Sequence, residues 1–191
     1  MTDLRDDAPP ATIKHASAMQ NAVRESASGE RGTLIACSVT INRSRDDLYR
    51  FWRHFPNLTK FMENVRRIDV EDDRTSHWVV TGPAGMTVEW DAEIVQDLPG
   101  EALAWVSTNS SDVSNSGRVE FSDAGGRGTV VTATILYKPP AGFVGKLVAK
   151  LFQREPGTQT RRDLRRLKQL METGEVATAA RTFKQREEET A

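Results

Sequence analysis

The chain is poor in the residues that reactive chemistry needs. Its 191 residues include one cysteine, Cys37, and three histidines, His15, His54 and His77. A single thiol excludes a disulfide framework, and no Cys/His cluster has zinc spacing. No stretch reaches the roughly 18 to 20 uncharged apolar residues that span a bilayer as a helix. The opening Met1-Thr2-Asp3-Leu4-Arg5-Asp6-Asp7 lacks the basic and apolar regions of a secretory leader. These absences lead us to expect a soluble cytoplasmic protein without metal or cofactor.

Charge of one sign is also lacking: 26 Lys+Arg face 27 Asp+Glu, a net charge of −1. That total hides an asymmetry. Residues 33–137 carry 10 basic and 15 acidic groups, whereas 138–191 carry 12 and 7. Within 138–168 the count is nine to two. The segment Phe143 to Phe152 is amphipathic, with Lys146 and Lys150 on its polar side, and Arg161, Arg162, Arg165, Arg166 and Lys168 follow. A basic amphipathic helix can dock on an anionic membrane at the inner face, each basic group contributing about 1 kcal/mol near the lipid. The plainer use of these cations is a solvated helix back that pairs with the acidic region. Specific nucleic-acid binding is not expected, because no aromatic platform is interleaved with the arginines.

Residues 1–32 are polar, rich in Ala and Ser, and bury too little to offset ordering entropy. A charged tail, 175–191, closes the chain. The folded unit is expected over 33–174. Ile35, Cys37, Val39 and Ile41 alternate with polar or small residues, a half-buried strand. Ser44 is placed to cap a helix with Asp46 and Asp47 in its first turn, and Leu48, Phe51, Trp52 and Phe55 form its apolar stripe. Pro56-Asn57 interrupts it, and Leu58, Phe61 and Met62 predict a second short helix. Six strands follow, at 65–72, 76–81, 87–95, 102–107, 118–121 and 129–137, separated by Gly, Pro, Asp and Ser turns. The third shows one dry face, Met86, Val88, Trp90, Ala92 and Ile94, and one wet face, Thr87, Glu89, Asp91 and Glu93. A dry sheet face needs a cover. Val144, Leu147, Val148, Leu151 and Phe152, then Leu164, Leu167 and Met171, recur at steps of three and four. Glu155-Pro156-Gly157 breaks the two helical parts, and Gly174 is a C-terminal stop.

The reactive constellations all have ordinary readings. None of the histidines sits in a nucleophile-elbow motif, and Ser76 and His77 are strand neighbours pointing to opposite faces. His77 is read as a strand residue or a polar cavity lining. Glu89, Asp91 and Glu93 put three carboxylates on a wet face, where mutual repulsion is screened and no catalytic pair is expected. Gly125-Gly126-Arg127-Gly128 lies between strands, with no helix behind it to hold a phosphate.

As an ordered set, certain motifs carry a resemblance. They are Val39-Thr40-Ile41-Asn42-Arg43 with Leu48-Tyr49-Arg50-Phe51-Trp52-Arg53, Phe55-Pro56-Asn57-Leu58, Ser76-His77-Trp78, Gly82-Pro83-Ala84-Gly85, Glu89-Trp90-Asp91-Ala92-Glu93-Ile94 and Asp163-Leu164-Arg165-Arg166-Leu167-Lys168. Over about 33–174 the chain resembles the START and polyketide cyclase/dehydrase (SRPBCC) superfamily, including bacterial proteins of coenzyme Q-binding START type. The resemblance implies an α+β helix-grip fold: a curved antiparallel sheet of about seven strands, in β-α-α-β6-α order, around a long C-terminal helix. It also implies an apolar cavity between the two that takes lipids, quinones, polyketides or other hydrophobic molecules. Trp90, Phe121 and Tyr137 would line that cavity, with Trp78 and Trp105, whose strands look apolar on both faces. Leu147, Val148 and Leu151 would close one side. Each of these also suits plain core packing. The expected function is binding or carriage of a hydrophobic small molecule. Cyclase or dehydratase activity on a polyketide-like substrate and an adaptor or stress-associated interaction domain are the alternatives.

Overall fold

The computed structural model describes residues 33–82, 85–108, 114–138 and 156–176. Strand β1 (Thr33–Ile41) leads into helix α1 (Arg45–Arg53) and a 3-10 turn (Phe55–Lys60). Six further strands follow: β2 (Val65–Val70), β3 (Thr75–Thr81), β4 (Thr87–Leu98), β5 (Ala102–Ser107), β6 (Ser114–Asp123) and β7 (Thr129–Lys138). Helix α2 (Pro156–Thr173) completes the described part. The seven strands form one curled antiparallel sheet in the order β1-β7-β6-β5-β4-β3-β2. This is the helix-grip architecture.

The sheet is a meander with one long connection. From β2 to β7 each strand pairs with its successor, whereas β1 pairs with β7, Cys37 opposite Ala133. The α1 and 3-10 segment therefore carries the chain from one edge of the sheet to the other. The Ser44 side chain accepts from the Asp47 N–H at 3.2 Å, and Arg50 and Arg53 occupy the last turn of α1, opposite in sign to its C-terminal dipole. A Ser44→Ala substitution is expected to cost about 1 kcal/mol, read as a lower urea midpoint at unchanged slope. The predicted second helix is instead a 3-10 turn, because Pro56 enters its first turn and it ends after six residues. Its Phe55 and Leu58 are buried, as are Leu48 and Trp52 of α1. Trp52 packs between Phe61 and Phe121, with ring centroids 5.6 and 6.4 Å away.

Two strands run differently from the sequence pattern. β6 begins at Ser114, within the segment expected to be a loop. β4 runs on to Leu98, and a bulge between Ile94 and Gln96 resets its phase. Asp97 thereby pairs with Leu103 on the inner face, beneath α1, where it accepts from Tyr49 Oη and, at 2.8 Å, from Arg53 Nε. Burial and then the Asp97 hydrogen bond push the Tyr49 hydroxyl up to about 12.

Helix α2 is held at both edges of the sheet. Along β1, Lys168 Nζ donates to the Thr40 carbonyl at 2.6 Å and the Asn42 N–H donates to Glu172 Oε1 at 2.7 Å. Next to β2, the Glu63 N–H donates to Asp163 Oδ1 at 3.3 Å, and Arg162 and Arg166 lie 3.4 and 3.6 Å from the Glu63 carboxylate. Leu164 and Leu167 fill the space between. Gly174, at φ 82°, ends the helix with its N–H on the Leu170 carbonyl. The expected residues 1–32 and 143–152 and the tail from 177 lie outside the described residues.

Candidate functional site

The inner face of the sheet is assembled by register. One row across it is Ile94, Trp105, Gly117, Ile135 and Ile35. The next is Ser76, Ala92 and Ser107, followed on β6 by Asn115, whose N–H donates to Ser107 Oγ at 3.0 Å. Beyond it Ile68, Trp78 and Trp90 stand side by side. From Ser76 to Trp105 these rows hold no charged side chain.

Helix α2 packs on this face against β1. Its first turn meets β1 at mid-strand, where Gly157 O accepts from Cys37 Sγ at 3.6 Å, and the helix then runs toward Asn42. Under it and α1 the packing is closed: Ile41, Leu48, Phe61, Leu103, Val119, Val131, Leu164 and Leu167 are all fully buried. The tryptophan rows continue from this core: Trp78 and Trp105 belong to the same buried cluster, and Trp90 packs against it.

Trp78 and Trp90 are stacked, with centroids 5.8 Å apart and planes 14° from parallel, and Phe55 meets Trp78 edge-on at 5.5 Å. Trp78 Nε1 donates to Ser76 Oγ at 3.0 Å, which explains a buried serine among aromatics. Trp105 is buried and lies flat over Gly117: a Cβ there would stand 2.7 Å from Cε2 and Cη2 of the indole. Only a residue without a side chain admits that ring.

Not every expected lining residue is placed with this group. Trp78 and Trp90 are brought into contact, and Trp105 stands on the same inner face two rows away. Phe121 is buried further along it, edge-on to Tyr49 at 6.2 Å and to Trp52, inside the closed core. The backbone of Tyr137 pairs with Thr33 and Asn115, but its side chain lies outside the described residues, as do Leu147, Val148, Leu151, Lys146 and Lys150. His77 does not line the inner face. It lies on the outer one, with Nδ1 2.7 Å from Asp91 Oδ1 and Nε2 3.4 Å from Glu89 Oε2. The Asp91 hydrogen bond holds its pKa above the usual histidine value. Strand alternation explains this: Trp78 and Trp90 face inward, so their neighbours must face out.

Gly117, Asn115 and Asp163 were not singled out by sequence reasoning. Asn115 falls in the stretch read as a polar loop, and Gly117 lies between that loop and the strand expected at 118–121. Asp163 had a usable signal, since it immediately precedes Leu164 and stands four residues before Leu167, beside the apolar stripe of α2. Its carboxyl is half-buried and accepts from Gln159 Nε2 at 3.0 Å as well as from the Glu63 N–H. Burial raises it to about 7, against those hydrogen bonds and Arg166.

A separate groove of about 190 Å³ opens where α1 ends beside the β2–β3 turn, lined by Arg53, His54, Asp72, Asp73 and Arg74 among others. Its arginines are already engaged. Arg53 is bound to Asp97 and the Asp73 carbonyl, and Arg74 to the Ile94 carbonyl. The tryptophan face is the better candidate.

Residues 41–165 match the model of the family described as polyketide cyclase / dehydrase and lipid transport. The chain belongs to this family. It is 33% identical over 125 residues to an uncharacterized 17.2 kDa protein of Streptomyces lincolnensis, spanning 65% of this chain and 79% of that one. A crystal structure from Deinococcus radiodurans is 38% identical, with a TM-score of 0.60 over 74% of this chain and 99% of that one. An aromatase/cyclase from Streptomyces sp. R1128 also has a TM-score of 0.60, over 75% and 98%, but at 11% identity that likeness concerns the fold alone. Family and fold together make this a hydrophobic-ligand-binding scaffold.

Proposed function

We propose that the protein binds and carries a hydrophobic small molecule, a quinone, lipid or polyketide-like compound, on the inner face around Trp78, Trp90 and Trp105. The observation that carries this reading is the arrangement of three tryptophans on one uncharged region of the inner sheet face. Apolar contact would dominate the affinity. Burying about 200 Å² of ligand surface is worth about 5 kcal/mol, against about 1 kcal/mol net for a hydrogen bond. Carriage is favoured over cyclisation because the polar side chains described on these rows are Ser76, Ser107 and Asn115, none of which is an acid or base at neutral pH.

The test is native mass spectrometry of the full chain purified without detergent, with solvent extraction of the same sample. The expected result is a stoichiometric mass increment that disappears on denaturation and an apolar compound in the extract. A purely ligand-free mass, with no saturable quenching of tryptophan emission by ubiquinone-1 or oleate, overturns the proposal.

A further inference from the structure

The carrier function leaves the chemistry of the cargo open, and two atoms narrow it. Trp90 Nε1 and Asn115 Oδ1 are shut off from solvent and meet no hydrogen-bond partner. Their surroundings are otherwise satisfied, because Trp78 Nε1 is bound to Ser76 and the Asn115 N–H to Ser107. An unpaired buried polar atom is costly, and most such atoms in folded proteins find partners. Thr40 Oγ1, Trp52 Nε1, Arg118 Nε and Arg166 Nε also lack a hydrogen-bond partner, but none of them stands on the tryptophan rows. Trp90 and Asn115 belong instead to the tryptophan rows, and they are of opposite type, one a donor and the other an acceptor.

We infer that these atoms are recognition groups for the cargo, Trp90 donating to a carbonyl-type oxygen and Asn115 accepting from an O–H or N–H. This rests on the carrier function proposed above and deepens it. The cargo is then a flat molecule bearing an acceptor and a donor at separate positions, not a plain hydrocarbon or acyl chain. The two residues stand on β4 and β6, with β5 between them. Neighbouring strands lie about 4.8 Å apart, so the backbones are on the order of 10 Å apart across the sheet. A donor and acceptor on adjacent atoms of a small solute cannot serve both residues, whereas groups set across a fused-ring skeleton can. Binding then relieves two unmet hydrogen bonds.

Three probes of one linear three-ring outline separate the contributions. Acridone has a carbonyl and an N–H, xanthone has a carbonyl without a donor, and anthracene has neither. Each is titrated into the full chain and followed by fluorescence or calorimetry. Trp90→Phe, which keeps a ring against Trp78, is expected to weaken acridone and xanthone about five- to tenfold and to leave anthracene within about twofold. Asn115→Leu should weaken acridone alone by a similar factor, and Asn115→Ala gives the same readout if the leucine variant does not fold. Substitutions that shift all three probes equally, or none, overturn the inference while the carrier function stands. If the unmodified chain binds none of the three, the inference fails, and the carrier function fails with it only if ubiquinone-1 and oleate do not bind either.

Discussion

A Gly117→Ala chain is expected to be less stable by about 3 kcal/mol, despite gaining only one methyl group. The added Cβ would overlap the Trp105 indole, 2.7 Å from two ring carbons and closer to a third. That ring is rigid, and it is 8% exposed, so it cannot swing aside into solvent cheaply. Either the strands separate locally or the indole leaves its site. Overpacking costs about 1–3 kcal/mol, and losing a buried tryptophan costs about 3–5. The melting temperature should fall by roughly 10 °C, and Trp105 emission should shift to the red as the ring is exposed. Trp105→Leu in the same chain removes the clash, so the two substitutions should be strongly non-additive, with a coupling above about 1 kcal/mol. A Gly117→Ala midpoint within about 0.5 kcal/mol of the parent would show that the indole does not rest on this glycine.

The second large effect concerns pH. Burial holds the Asp163 carboxyl at about 7 in the folded chain, whereas its ordinary value is 3.8. The native state therefore keeps a proton that the unfolded state has released, and stability falls as pH rises from about 4 to about 7. Above that range the penalty is complete. Asp163→Asn retains an oxygen for the Glu63 N–H and removes the titration. At pH 8 it should be more stable than the parent, on the order of 2 kcal/mol, while near pH 4 the two should agree closely. His77 acts in both chains. Its raised pKa adds stability present below about 6.5 and lost as pH rises through the higher native value. Subtracting the two urea-midpoint profiles between pH 4 and 8.5 cancels that shared contribution. Parallel profiles would mean that Asp163 is ionised in the native state throughout.

The Asp163 effect has a structural counterpart. Its carboxyl receives the Glu63 N–H and so ties α2 to the segment leading into β2. The opposite flank of α2 is tied to β1 through Lys168 and Glu172. Much of the basic charge concentrated in 138–168 is therefore structural where it is described. Arg162 and Arg166 face Glu63, and Lys168 faces Glu172, leaving Arg161 and Arg165 exposed.

How much of this was legible beforehand depended on the range of the interaction. Alternation at 87–94, the Ser44 cap and the stop at Gly174 are properties of a few neighbouring residues, and each could be read from the chain. So could the family, because its motifs occur in order. The inward direction of Trp90 followed from its place among acidic neighbours, and once Trp90 was placed, Trp78 followed only through the β3–β4 register. That register also sent His77 to the outer face, which the pattern of β3 alone left undecided. Asn115 and Gly117 were hidden because Ser, Asn and Gly look like loop residues unless a neighbouring strand pairs with them. Their identity as inner-face positions comes from Trp105 and Ser107 across the ladder. Asp97 was hidden by a single extra residue, since the bulge at Ile94–Gln96 reverses every face that strict alternation would assign beyond it.

By itself, then, the chain's scarcity of thiols and histidines, its period-two strands and its ordered motifs determined the family and an apolar inner surface. Those are local or compositional facts. Which tryptophans stack, which polar atoms are left unpaired, and which carboxylate is buried were decided by strand register and by the placement of α2. Such properties depend on partners tens of residues away, and no local pattern encodes the distance between them.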